Sequence, residues 1–154
     1  MLGSQLLRCT RRVLIHSDFE LLGLDEVDNF QALDSLPNKW IVILYDESEH
    51  WLLLSANRDL NRTVFFDPLG KRLCDYNAEL STDLSFLFGG VDELSEPVQS
   101  SSSRCCGFYV VFFAHILTQG LGLRSFLQVF HSPDPKLNDR KVTAWMRRKF
   151  PTLF

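Results

Sequence analysis

The clearest pattern along the chain is a pair of apolar runs separated by a short polar break. Trp40-Ile-Val-Ile-Leu-Tyr45 is continuous, β-branched and aromatic; Asp46-Glu-Ser-Glu49 interrupts it, and His50-Trp-Leu-Leu-Leu-Ser55 resumes it. Two strands joined by about four polar residues make a hairpin of common length. Asn57 to Asn61 supply a second turn before Arg62-Thr-Val-Phe-Phe-Asp67, which Pro68 and Gly70 terminate. Three strands with short connections predict an antiparallel meander. Residues 105–119 are apolar on every side, the mark of a buried helix. Weaker patterns predict a short helix over 4–15, loops with a helical turn over 17–37, and a helix over 78–88. They also predict a short strand near Phe126 to Phe130. Asn138 or Asp139 caps a last helix through Lys149, with Val142, Trp145 and Met146 on its inner face. The sum is an α+β fold: an antiparallel sheet packed against a central buried helix.

Length and charge narrow this. The 154 residues fit one domain, 1–154, with a single core, and thirteen phenylalanines make that core aromatic-rich. A net charge of −3 argues against a generally nucleic-acid-coating protein, since such domains are strongly basic. The basic clusters Arg8, Arg11, Arg12 and Arg147, Arg148, Lys149 read as solvated faces. The first 17 residues hold three arginines and no acid, a composition shared by transit peptides and by the basic face of a first helix; the helix reading is preferred. No apolar run approaches the roughly 20 residues that span a bilayer. The cysteines, Cys9, Cys74, Cys105 and Cys106, match no zinc spacing, and adjacent Cys105 and Cys106 make an awkward disulfide framework. No metal site and a reducing compartment follow as expectations.

The candidate chemistry centres on Cys106. A polar loop, Gln99-Ser-Ser-Ser-Ser-Arg104, ends at Cys105-Cys106-Gly107, where the buried helix starts. A helix N-terminus carries partial positive charge and free N–H groups, which favour thiolate over thiol. The competing reading is a small buried apolar residue, the usual fate of a free cysteine. Cys105 is the rival sulfur; Cys106 is preferred because it abuts the glycine and the helix. His50 opens a strand beside Trp51, whereas His115 lies nine residues after Cys106 inside the helix, too far along the axis to act as its base. Asp67 ends the neighbouring strand, where its carboxylate could hold the imidazole tautomer or simply cap the Asp-Pro turn. Gln99 is either an oxyanion donor or a solvated loop residue.

The order His50-Trp51, Phe66-Asp67-Pro68-Leu69-Gly70, Gln99 and Cys106-Gly107-Phe108-Tyr109 resembles the adenovirus maturation protease (adenain) and its clan of SUMO- and ubiquitin-type proteases. The resemblance covers about Trp40 to His115. It implies a thiol protease with papain-like chemistry: Cys106 as nucleophile, His50 as base and acid, Asp67 as orienter and Gln99 as oxyanion donor, with Trp51 buttressing His50. It implies an endopeptidase maturing viral precursor polypeptides at Gly-Gly or Gly-x sites, in the host nucleus and virion; a monomer is the separate expectation. Removal of ubiquitin or ubiquitin-like modifiers from host proteins is the alternative, and an inactive protease-fold binding module a second one. No cofactor is implied beyond the peptide or DNA activators of the adenovirus branch. The acidic charge and the lack of a corresponding cysteine stand against both activators, so a non-adenoviral DNA virus or virus-like element fits better. Leu87-Phe-Gly-Gly90 resembles a cleavage site for such an enzyme, although a glycine turn after a helix explains it as well.

Overall fold

The computed structural model describes residues 18–23, 27, 35–45 and 49–153. The expected helix over 4–15, most of the loop region over 17–37, and residues 46–48 of the hairpin loop lie outside the described residues.

Strands β2 (Lys39–Tyr45), β3 (Trp51–Asn57) and β4 (Arg62–Phe66) form the predicted antiparallel meander. Two further strands extend it. Glu20–Leu22 (β1) pairs parallel with β2, and Asp92–Glu93 (β5) pairs parallel with β4, giving the order β1-β2-β3-β4-β5. These edges correct the reading of residue 20–22 as loop and of the sheet as wholly antiparallel. Strands of three and two residues carry no periodicity of their own; distant partners create them.

The continuous apolar runs have a simple cause: the sheet is buried on both faces. One face carries Ile41, Leu53, Val64 and Phe66. Against it lies helix α3 (Cys106–Thr118), ten of whose thirteen residues are buried. Phe66 stacks on Phe113 with ring centroids 4.4 Å apart, tying α3 to β4. The opposite face, Trp40, Val42, Leu54 and Phe65, is covered by α1 (Leu73–Tyr76) and α2 (Ala78–Phe88). The α2 bounds coincide with those predicted, because Asn77 caps the start and Gly89, in the left-handed region at φ 77°, ends it.

Two expectations fail near the C-terminus. Residues 123–129 form a helix, α4 (Leu123–Val129), and not a strand. The Phe126 N–H donates to the Gly122 carbonyl at 3.1 Å and the Phe130 N–H to the Phe126 carbonyl at 3.0 Å, i to i−4 bonds that carry both buried rings into the core. The last helix, α5 (Pro135–Lys149), starts earlier than predicted. Asp134 accepts the Lys136 N–H at 3.1 Å and Pro135 takes the first turn, so Asn138 and Asp139 are interior residues. Val142 and Met146 are buried as expected, with Trp145 packed beside them.

Candidate active site

The hairpin register explains why two distant residues meet. β3 and β4 pair Leu53 with Phe66, so the next step places Asp67 opposite Leu52, two residues after His50, which immediately precedes β3. Diagonal neighbours of that kind lie within reach of long side chains. His50 Nε2–H donates to Asp67 Oδ1 at 2.6 Å, with both groups buried. Asp67 is completely inaccessible to solvent, and a buried carboxylate needs several donors. It has three: His50, the Leu69 N–H at 2.8 Å on Oδ1, and the Tyr76 hydroxyl at 2.7 Å on Oδ2.

The residue before His50 is held in an unusual state. Glu49 has φ 61°, in the left-handed region that costs a non-glycine residue about 1 kcal/mol or more. Its carbonyl faces Cys106, 4.0 Å from the sulfur, which is too long to be a strong bond. The sulfur's main partner is His50. Nε2 is taken by Asp67, which leaves Nδ1 as the ring nitrogen to face the thiol.

Cys106 is the first residue of α3, and Cys105 at the cap position offers no side-chain cap. The first-turn amides are thereby left for the sulfur and for incoming charge. Burial alone would push the Cys106 thiol up, but the His50 hydrogen bond and charge, with the Trp51 and Gly107 amides, bring it below its ordinary value. Burial lowers His50, yet hydrogen bonds and charge from Asp67 and Cys106 raise it to about 9. Both shifts favour thiolate beside imidazolium, an activated nucleophile. The neighbouring sulfur behaves oppositely. Burial pushes Cys105 up, offset only in part by hydrogen bonds to Thr143 and Ser103.

Gln99 is buried rather than solvated. Its backbone N–H, with that of Val98, donates to the Pro68 carbonyl, at 3.1 and 2.9 Å. Its side-chain Nε2 donates to the Ser103 carbonyl at 3.0 Å. Residues 96–99 are thus strapped onto the turn that carries Asp67. Gly70 makes that contact possible: at φ 80°, a Cβ there would lie 2.7 Å from the backbone of Glu96 and Pro97. Trp51 is half-buried beside His50, with its ring 4.6 Å from that of Tyr45.

One solved structure with a similar arrangement of elements is the C-terminal Ulp1 protease domain in complex with Smt3, the yeast ortholog of SUMO. The TM-score is 0.55 at 14% identity, over 77% of this chain and 65% of that one. The fold is that of a Ulp1-type protease domain. This chain spans less than two thirds of the Ulp1 domain's length. The Xanthomonas campestris effector XopD, solved bound to ubiquitin, aligns over 91% of this chain and 88% of its own, with 14% identity and a TM-score of 0.47. No family model matches the sequence, and no curated protein matches it.

Within the Ulp1-type fold, sequence reasoning missed Tyr76, which shares Asp67 with His50. Its helix is four residues long and offers no local signal. Asp139 and Asn138, expected as caps, instead anchor the strap: Tyr109 donates its hydroxyl to Asp139 at 2.8 Å, and Asn138 Nδ2 donates to the Val98 carbonyl at 3.0 Å. His115 is half-buried near Trp145, at 5.5 Å between ring centroids, and far from the cysteine as its spacing required. A pocket of about 520 Å³ lined by Asn57, Arg62 and Arg124 opens at the other end of the β3–β4 hairpin and has no part in this site. Among the described residues, no group of three His, Cys, Asp or Glu side chains is placed to hold a metal ion.

Proposed function

We propose that this chain is a cysteine peptidase that hydrolyses the bond after the glycine-rich C-terminus of a ubiquitin-like protein. The observation that carries the chemistry is the buried 2.6 Å His50–Asp67 bond, converging on a thiol held below its ordinary range. The Cys106 thiolate attacks the scissile carbonyl carbon, forming a C–S bond and moving an electron pair onto oxygen. The backbone N–H of Cys106 and the second N–H of Gln99 Nε2, whose first is engaged by Ser103, receive that oxyanion. The intermediate collapses, the C–N bond breaks, and the His50 imidazolium protonates the leaving amine. Water then attacks the thioester, gives its proton to His50, and releases the acid with Cys106 as thiolate. Asp67 holds the tautomer and steadies the imidazolium throughout.

The likeness to a protease domain solved with Smt3 supports the ubiquitin-like substrate class. The order of His50-Trp51, Asp67-Pro68 and Cys106-Gly107 supports a second reading, maturation of viral precursor proteins at Gly-containing sites. Ubiquitin and SUMO carrying a C-terminal electrophile separate the two. On the first reading the wild-type protein and Cys105→Ala form a covalent adduct with one of them, and Cys106→Ala forms none. Cleavage of internal Gly-Gly polypeptides without any adduct would favour precursor maturation. A protein that does neither, and whose Cys106 resists small thiol reagents, is a binding module.

A further inference from the structure

Helix α5 concentrates the protein's positive charge. Lys136, Arg140, Lys141, Arg147, Arg148 and Lys149 are all exposed, while its one acid, Asp139, is turned inward and buried. The protein as a whole carries −3, yet six of its sixteen lysines and arginines lie on this one element. At 100° per residue, Lys136, Arg140 and Arg147 fall within one narrow stripe. The surface is concave around the last two of these. Arg140, Thr143, Ala144 and Arg147, with Asp139 beneath, line a concavity of about 390 Å³.

The concavity lies beside the chain segment that leads into the nucleophile. Thr143 Oγ1 lies 3.7 Å from the Cys105 sulfur, one residue before Cys106. The Asp139 carboxylate accepts the Ser100 N–H at 3.3 Å, beside Gln99. Arg104, which immediately precedes Cys105 in sequence, is exposed as well. We infer that this face is an exosite for an acidic stretch of the polypeptide substrate flanking the scissile bond. The inference rests on the peptidase reading above. The spacing suits an extended chain: Lys136 to Arg140 rises about 6 Å along the helix and Arg140 to Arg147 about 10 Å, the reach of two and three extended residues. The overall charge of −3 repels a long polyanion such as a nucleic acid more than it repels a short acidic segment.

Binding can be read without cleavage. Fluorescein-labelled peptides with a central Gly-Gly, flanked by aspartates, serines or lysines, are titrated with the full-length Cys106→Ala protein and followed by anisotropy. The acidic peptide should bind about tenfold more tightly than the serine peptide, and high salt should remove the difference. Arg140→Glu/Arg147→Glu should erase that preference and favour the lysine peptide; Arg140→Gln/Arg147→Gln, with circular dichroism to confirm folding, should erase it without inversion. Equal affinity of the Cys106→Ala protein for acidic and serine peptides overturns the inference. So does an unchanged preference in both double variants, or tighter binding of a single-stranded oligonucleotide competing at the same face. Absence of any cleavage by the wild-type protein, with acidic selectivity in binding intact, would instead count against the peptidase reading alone.

Discussion

Asp67→Asn tests the electrostatic core of the site while preserving its shape. The asparagine Oδ1 still accepts a bond from Leu69, but the charge that steadies His50 is gone. In the native protein the imidazole rises from 6.5 to about 9 despite the opposing effect of burial, and Asp67 supplies the leading favourable contribution. At about 1.4 kcal/mol per pH unit, that rise favours the imidazolium by about 3 kcal/mol. Losing most of it leaves burial opposed by Cys106 alone, so His50 gives up its proton at lower pH and Cys106 ionises at higher pH. The population of the thiolate–imidazolium pair should fall about a hundredfold. The assay is the rate of iodoacetamide alkylation of the Cys106-containing peptide against pH, read by mass spectrometry in a Cys105→Ser background. Wild-type alkylation should rise at a pH below the ordinary thiol range. Peptidase activity should disappear as pH climbs through about 9, where His50 loses the proton it must donate. In Asp67→Asn the alkylation curve should move up in pH, and the activity window should narrow from both sides. An alkylation profile that overlays the wild type, or a wild-type Cys106 that titrates like an ordinary thiol, refutes the reasoning.

Gln99→Ala should lower kcat about a hundredfold or more, as the loss of one oxyanion donor does, while leaving the alkylation profile of Cys106 unchanged; parallel losses in both would make Gln99 a structural support instead. Gly70→Ala forces a Cβ to 2.7 Å from the Glu96–Pro97 backbone at a positive φ. It should cost about 3 kcal/mol, or roughly 10 °C in Tm, and reduce activity by displacing the strap that carries Gln99; a calorimetric Tm within a degree or two of wild type would contradict the close approach.

Much of the architecture is legible in local pattern. β2, β3 and β4 announce themselves because their side chains are buried on both faces, so apolar residues run without a break. Asn77 and Gly89 bracket α2 by backbone chemistry that acts within a turn. The edges are not legible. β1 and β5 exist because β2 and β4 offer them hydrogen bonds, and nothing in Glu20–Leu22 or Asp92–Glu93 alone compels extended backbone. The stretch around Phe126 illustrates a different limit: seven mixed residues with buried aromatics suit a strand or a helix, and packing of Phe126 and Phe130 against Tyr109 and Phe112 selects the helix.

The candidate site divides in the same way. Residue type and order single out His50, Asp67, Gln99 and Cys106, since strand ends, a proline-glycine turn and a helix start are written in adjacent residues. Their protonation is decided elsewhere. Cys105 and Cys106 are chemically identical neighbours, yet one thiol is pushed up and the other down. The difference comes from through-space surroundings: at Cys105 burial outweighs the hydrogen bonds to Thr143 and Ser103, whereas at Cys106 His50 and the Trp51 amide outweigh burial. The second donor to Asp67, Tyr76, and the anchors Asn138 and Asp139 likewise act across the fold. Sequence by itself determined which groups are available and on which elements they ride. Tertiary structure decided which of them carry charge, because a pKa depends on burial and on neighbours that chain order does not reveal.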